Sequence, residues 1–77
     1  MVRAFIMVKT NAGASEDVVA HVREMDTVQE AHIVAGEYDV IVEVNAPEVY
    51  EILHTASSSI QSLDGVVETK TYIALSE

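Results

Sequence analysis

Two groups of residues in this chain have the types and spacing to do chemistry. The first is the junction Gly36-Glu37-Tyr38-Asp39, set between two strand-like runs, Val28 to Ala35 and Tyr38 to Val44. A glycine there lets the backbone turn with positive φ at low steric cost. Tyr38 and Asp39 begin the return strand, and Asp39 sets an ionisable group at the edge of an apolar run. A hairpin turn with a polar tip accounts for these residues. A corner where an acid, a phenol and a flexible backbone converge on a small ligand accounts for them too. The second group is Leu63-Asp64-Gly65-Val66 followed by Thr69 and Thr71. Its two hydroxyls alternate along a strand, where threonine is also simply a good strand former.

Other chemistries lack their residues. His21, His32 and His54 show neither His-x-x-x-His nor His-Glu-x-x-His spacing. His32 lies near the Gly36 corner, where an effector contact and an ordinary strand histidine are both open readings. With no cysteine, no disulfide or thiolate metal site can form, and no metal or cofactor is expected. Ser57-Ser58-Ser59 has no Gly-x-Ser-x-Gly elbow, and Tyr38 with Asp39 has no matched acid–base partner, so no catalytic residue is assigned. Three glycines, Gly13, Gly36 and Gly65, make no phosphate-cradling loop.

Thirteen acids against four bases give a formal charge of −9, which repels phosphate backbones and argues against direct nucleic-acid binding. The acids are scattered, not gathered into a tail. That pattern suits a salt-rich cytoplasm, where screening relieves self-repulsion, and equally an ordinary acidic protein. No stretch approaches the roughly 18 apolar residues of a membrane span. Met1-Val2-Arg3-Ala4-Phe5-Ile6 enters strand-like alternation rather than a signal peptide, so the expected location is the cytoplasm.

The elements that must position these residues can be read in order. Val2 to Val8 is apolar except for Arg3, as in a strand covered on both faces. Thr10-Asn11-Ala12-Gly13 is a turn, and Ser15 is the expected helix N-cap, with Glu16 and Asp17 in the first turn. Val18, Val19, Val22 and Met25 recur at helical spacing. The hairpin follows. Asn45-Ala46-Pro47-Glu48 then reads as a second helix start, with the stripe Val49, Ile52, Leu53, Ala56, Ile60 and Leu63 behind it. The serine run falls inside that stripe as a polar face. Gly65 ends the helix as its left-handed residue, and a last strand runs from Val66 to Leu75.

The sum is one domain over residues 1–77: α+β, ferredoxin-like βαββαβ, a four-stranded antiparallel sheet with both helices on one face. A domain this small buries only about 60% of its unfolded surface. With 49% of residues hydrophobic, and with Phe5, Met7 and Ile41 left on the uncovered face, a sheet-to-sheet homodimer is expected.

The Gly36-x-Tyr38-Asp39 corner, with Gly65-Val66-x-x-Thr69-x-Thr71 in register after it, resembles the ligand-sensing (RAM) domain of Lrp/AsnC transcription factors. The resemblance covers Val2 to Leu75. It implies the same dimer and rings of dimers beyond it. It also implies an amino-acid effector held between neighbouring dimers by Gly36, Tyr38, Asp39, Thr69 and Thr71. An ammonium wants a carboxylate, which Asp39 supplies; a carboxylate wants hydroxyls and backbone N–H groups, found at Thr69, Thr71 and the Gly36 backbone. Full-length relatives carry an N-terminal helix-turn-helix, and here Val2 opens the sensor fold at once. The expected function is therefore a stand-alone, non-enzymatic, amino-acid-responsive regulatory module, acting through mixed assembly with a full-length Lrp/AsnC regulator. Two other classes share the layout: small dimeric α+β-barrel enzymes of monooxygenase or isomerase type, and ACT-like amino-acid sensors.

Overall fold

Strand β1 (Val2–Thr10) carries apolar residues on both faces, and it lies inside the sheet, between β3 and β4. The computed structural model describes residues 1–76. After β1 come α1 (Ser15–Val22), β2 (Val28–Ile33), β3 (Val40–Ala46), α2 (Val49–His54) and β4 (Val66–Ile73). A π-helical stretch, Thr55–Ile60, continues α2. The strands order β2-β3-β1-β4, all pairs antiparallel, which is the ferredoxin-like arrangement.

The register sorts side chains onto two faces, because directly opposed residues point the same way. Ala4, Ile6 and Val8 face Val44, Val42 and Val40 across β1–β3 and are fully buried. Val18, Val19 and Val22 of α1, with Ile52, Ala56 and Ile60 of the second helical segment, close this core. The opposite face carries Phe5, Met7 and Ile41, half-buried, and Tyr72, exposed. No element among the described residues covers it.

Several local expectations are corrected. Ser15 is the first residue of α1, not its cap; Ala14 is the cap residue, and the Ser15 hydroxyl bonds Thr10 Oγ1 at 2.9 Å instead. Helix α1 stops at Val22, leaving Met25 half-buried against the core from a turn. Asn45 starts no helix. Strand β3 runs on through Ala46 because Asn45 and Ala46 pair with Arg3 and Val2 of β1. The cap of α2 is Glu48, whose N–H donates to Glu51 Oε2 at 3.2 Å, the reciprocal arm of a capping box. Val49 and Leu53, assigned to the apolar stripe, point outward; the π-helical stretch brings Thr55, Ala56 and Ile60 inward. Ser57 and Ser58 are exposed, as a polar face requires. Strand β4 ends at Ile73, and Leu75 is exposed.

Candidate functional site

The corner after β2 is a six-residue loop, 34–39, and not a tight two-residue turn. It is closed by the Val34 N–H donating to the Asp39 carbonyl at 2.9 Å, so both hairpin strands end two residues short of the expected Ala35 and Tyr38. Gly36 does not take the left-handed backbone that a tight turn would have required. The glycines that do are Gly13, at φ 82°, and Gly65, at φ 93°. A Cβ on Gly36 would meet nothing nearer than the Tyr38 carbonyl at 4.0 Å, whereas one on Gly65 would sit 2.7 Å from Ala14 Cβ. Gly65 is thus needed by the fold, and Gly36 keeps open space in front of the loop backbone.

Asp39 is held from two sides. Its backbone N–H donates to the Val8 carbonyl at 3.0 Å, and its Oδ2 accepts the Thr10 amide at 2.8 Å. The β1–β3 ladder runs only to Val8 and Val40, and Thr10 lies beyond its end, so the carboxylate satisfies an amide that this ladder leaves over. Asp39 is half-buried, and Oδ1 makes no hydrogen bond among the described residues. A charged acceptor is therefore oriented by the fold with one oxygen free for an incoming donor.

Tyr38 turns onto the open face of the sheet. Its hydroxyl donates to Glu68 Oε2 at 3.1 Å, and the Lys9 ammonium lies 5.9 Å from its ring centroid. Lys9 Nζ also donates to the Glu37 carbonyl at 3.1 Å, tying the loop to β1. Desolvation, then the Glu68 carboxylate beside it, holds the Tyr38 phenol above its ordinary range. Tyr38 in turn raises Lys70. At neutral pH the phenol is a neutral donor and Lys70 a cation. A concavity of about 420 Å³ at the far end of the sheet, bounded by Val2, Arg3 and Asn45, is remote from this corner. One of about 370 Å³ opens directly on the corner, lined by Met7, Val34, Gly36, Tyr38, Ile41 and Tyr72 among others.

Thr69 and Thr71 do not join that cavity within one chain. They oppose Val8 and Ile6, which puts them on the helix side of β4, half-buried, and Thr69 Oγ1 accepts from Gln61 Nε2 at 2.8 Å. The sheet itself separates them from Tyr38. The residues beside Tyr38 are instead Glu68 and Lys70, which flank Thr69 in sequence. Sequence reasoning passed over them, although period-two alternation puts residues 68, 70 and 72 on the face opposite 69 and 71. Thr10 was also missed, since nothing local marks its amide as the partner of Asp39. His32 points from β2 opposite Ile41 and bonds Glu30 Oε1 at 2.9 Å, away from the loop. His21 and His54 are exposed on the helices.

No group of three or more His, Cys, Asp or Glu side chains among the described residues could hold a metal ion, and no helix there is long and apolar enough to cross a membrane. Known proteins share this architecture. The leucine-responsive regulatory protein of Salmonella typhimurium is 28% identical over 76 residues, which is 95% of this chain and 46% of that protein; the chain spans about half the length of the curated relatives it matches. A hypothetical protein from Pyrococcus horikoshii superposes with a TM-score of 0.90 at 35% identity, covering 100% of this chain and 93% of that one. A transcriptional regulator from Neisseria meningitidis, solved as an L-Met complex, gives 0.88 at 26% identity, covering 99% of this chain and 51% of that one. The family model described as the Lrp/AsnC ligand binding domain matches residues 3–77, and the chain belongs to that family.

Proposed function

We propose that this chain is an amino-acid-responsive regulatory module that works by binding and assembly, without catalysis. The observation that carries the reading is the Asp39 carboxylate. It is anchored through Oδ2 to the Thr10 amide and half-buried, its other oxygen makes no hydrogen bond among the described residues, and it follows directly on Tyr38, which with Gly36 lines the cavity at the corner. That arrangement suits the ammonium of a free amino acid. The L-Met complex of the Neisseria regulator, a relative in fold and family, supports the same ligand class.

The effector's carboxylate goes to Thr69 or Thr71. Since these lie on the helix side of β4 while Tyr38 lies on the open side, one copy cannot bring both groups to one ligand. The effector therefore sits between copies, with Gly36, Tyr38 and Asp39 from one and the threonine-bearing strand from another. The copies pair first through the open sheet face, where Phe5, Met7 and Ile41 are half-buried and no helix or strand among the described residues packs over them. Effector binding then favours one arrangement of dimers by its differential affinity. Mixed assembly with a full-length Lrp/AsnC regulator would carry the signal to DNA. The chain itself, at −9, does not bind the duplex.

Calorimetric titration with each of the twenty amino acids tests the reading. Asp39→Asn keeps the size and one acceptor oxygen, so the fold survives. A hydrogen bond to a charged group is worth about 1.5–3 kcal/mol, so affinity for the best ligand falls by roughly ten- to a hundredfold. Thr71→Val deletes one hydroxyl and costs about 0.5–1.5 kcal/mol. Unchanged affinity in Asp39→Asn would reduce the corner to a loop anchor.

A further inference from the structure

The outward face of the second helical segment is an apolar feature that the effector reading leaves unused. Val49, Tyr50 and Leu53 are 44%, 70% and 50% exposed. They sit at i, i+1 and i+4, so they share one side of the helix, with His54 and Ser57 at its edge. Single exposed apolar residues are ordinary, but a contiguous group of three in a 77-residue chain is a patch. The core does not need it: Ile52, Thr55, Ala56 and Ile60 already fill the inward side.

The helix layer that carries the patch has one sign of charge, with Glu48 and Glu51 on the same helical segment as the patch. On the helix layer and its turns, Glu16, Asp17, Glu24, Asp26, Glu48 and Asp64 are exposed and Glu51 is half-buried. The one base there is Arg23, whose guanidinium donates to the Ala31 carbonyl at 2.7 Å and not to any of these acids. A second copy would bring the same negative face against this one, which like-charge repulsion opposes. Nucleic acid and anionic lipid are opposed for the same reason.

We propose that this face docks a cationic amphipathic protein segment. The partner's apolar side chains cover Val49, Tyr50 and Leu53, while its lysines or arginines meet the acidic rim. Tyr50 is the anchor, since an exposed tyrosine at the centre of a patch supplies large, rigid contact area with a polar tip. The site uses neither the Gly36 corner nor the open sheet face, so it stands or falls independently of the amino-acid reading.

The test uses the whole chain, isotope-labelled for amide spectra, and three synthetic peptides. One is a helix-forming leucine–lysine peptide, one an oligolysine of equal charge, and one a leucine–glutamate counterpart. The leucine–lysine peptide is expected to bind, with amide shifts centred on Val49 to Ser58, and the glutamate peptide is not. Tyr50→Ala with Leu53→Ala, both at exposed positions, weakens binding of the leucine–lysine peptide about tenfold or more and leaves the fold intact. Three outcomes overturn the proposal. Oligolysine binding as tightly, with no effect of the double variant, means diffuse attraction to acids. Shifts centred elsewhere mean that the patch is not the site. Loss of self-association in the double variant, read by sedimentation, means that the occupant is a second copy.

Discussion

The two outward faces of this small molecule differ in charge far more than in apolarity. The open face of the sheet carries three of the chain's four basic residues, Arg3, Lys9 and Lys70, against Glu30, Glu43 and Glu68. Two of these acids are locally matched, Glu43 by Arg3 at 3.5 Å and Glu68 by Lys9 across the β1–β4 ladder, while Glu30 opposes Glu43 across β2–β3. Between them run Phe5, Met7, Ile41 and Tyr72. The helix face carries seven acids and a single base, Arg23, whose guanidinium is turned to a backbone carbonyl. An apolar surface with balanced charge can meet a copy of itself at little electrostatic cost, whereas an apolar surface ringed by one sign cannot. The excess of −9 is therefore not spread evenly; it is concentrated on the helix face.

The sharpest way to break this contrast is to put the same new charge on each face in turn. Met7→Glu sets a carboxylate in the middle of the open face, opposite Ile41 and beside Lys70. If that face is the dimer contact, the variant must desolvate a carboxylate there, a cost that Lys70 offsets only in part, and it sediments as a monomer at concentrations where the parent is a dimer. Leu53→Glu, on the exposed helix face, leaves the mass unchanged. An unchanged mass for Met7→Glu, or dissociation by Leu53→Glu, would exchange the roles of the two faces.

A smaller effect follows from salt. Screening relieves repulsion among like charges and weakens attraction between opposite ones, so molar potassium chloride stabilises the fold chiefly through the helix face. The thermal midpoint is expected to rise with salt. Neutralising Glu24 and Asp26 together, as Gln and Asn, removes part of that rise and stabilises the protein at low salt by about 0.5 kcal/mol. The matched change at Glu68 on the sheet does neither, because Lys9 opposes it across the β1–β4 ladder and neutralising it removes an attraction. A midpoint that is flat or falling in salt would mean that the acids are not under strain.

Much of the fold was legible because its signals are local. Apolar runs bounded by turn formers marked the strands, and the stripe through Ile52, Ala56 and Ile60 marked the second helical segment. Gly65 was readable as a left-handed residue, and it has that backbone, but it does not end the helix: the helical segment stops at Ile60 with Gln61 as its cap residue, and Gly65 lies in the turn before β4. What was not legible depended on partners distant in sequence. Asn45 looks like a helix cap until Arg3 pairs with it and prolongs β3. The π-helical stretch turns Thr55 inward to bond Thr27 at 3.0 Å, and no spacing rule for an α-helix predicts that. At the candidate site the corner was visible as a motif, but its internal geometry was not. That the Asp39 carboxylate would take up the Thr10 amide depends on the β1–β3 ladder ending at Val8 and Val40. That Thr69 and Thr71 would lie across the sheet from Tyr38 follows only once β1 and β4 are aligned.

The smallest expected effect lies where the corner meets the open face. Tyr38→Phe removes the hydroxyl that reaches Glu68 and keeps the ring under Lys9. The contact is peripheral, so its loss lowers the thermal midpoint by less than either change above. Its pH dependence is the more telling readout. The folded phenol is held above its ordinary value of 10.0, so between that value and the raised one the native state keeps a proton the unfolded chain has lost. Stability then falls as pH rises through this window, and it is fully present below it. Lys70, raised above 10.5 chiefly by Tyr38, loses stability in the same direction. Removing the phenol takes away the Tyr38 part and the main cause of the Lys70 part. The alkaline fall in melting temperature above pH 10 should therefore be shallower in Tyr38→Phe than in the parent, with the two curves parallel at neutral pH. Curves that remain parallel through the alkaline range would mean that Tyr38, Glu68 and Lys70 are not coupled in solution. The link from the loop at Gly36 to the far edge strand would then be lost.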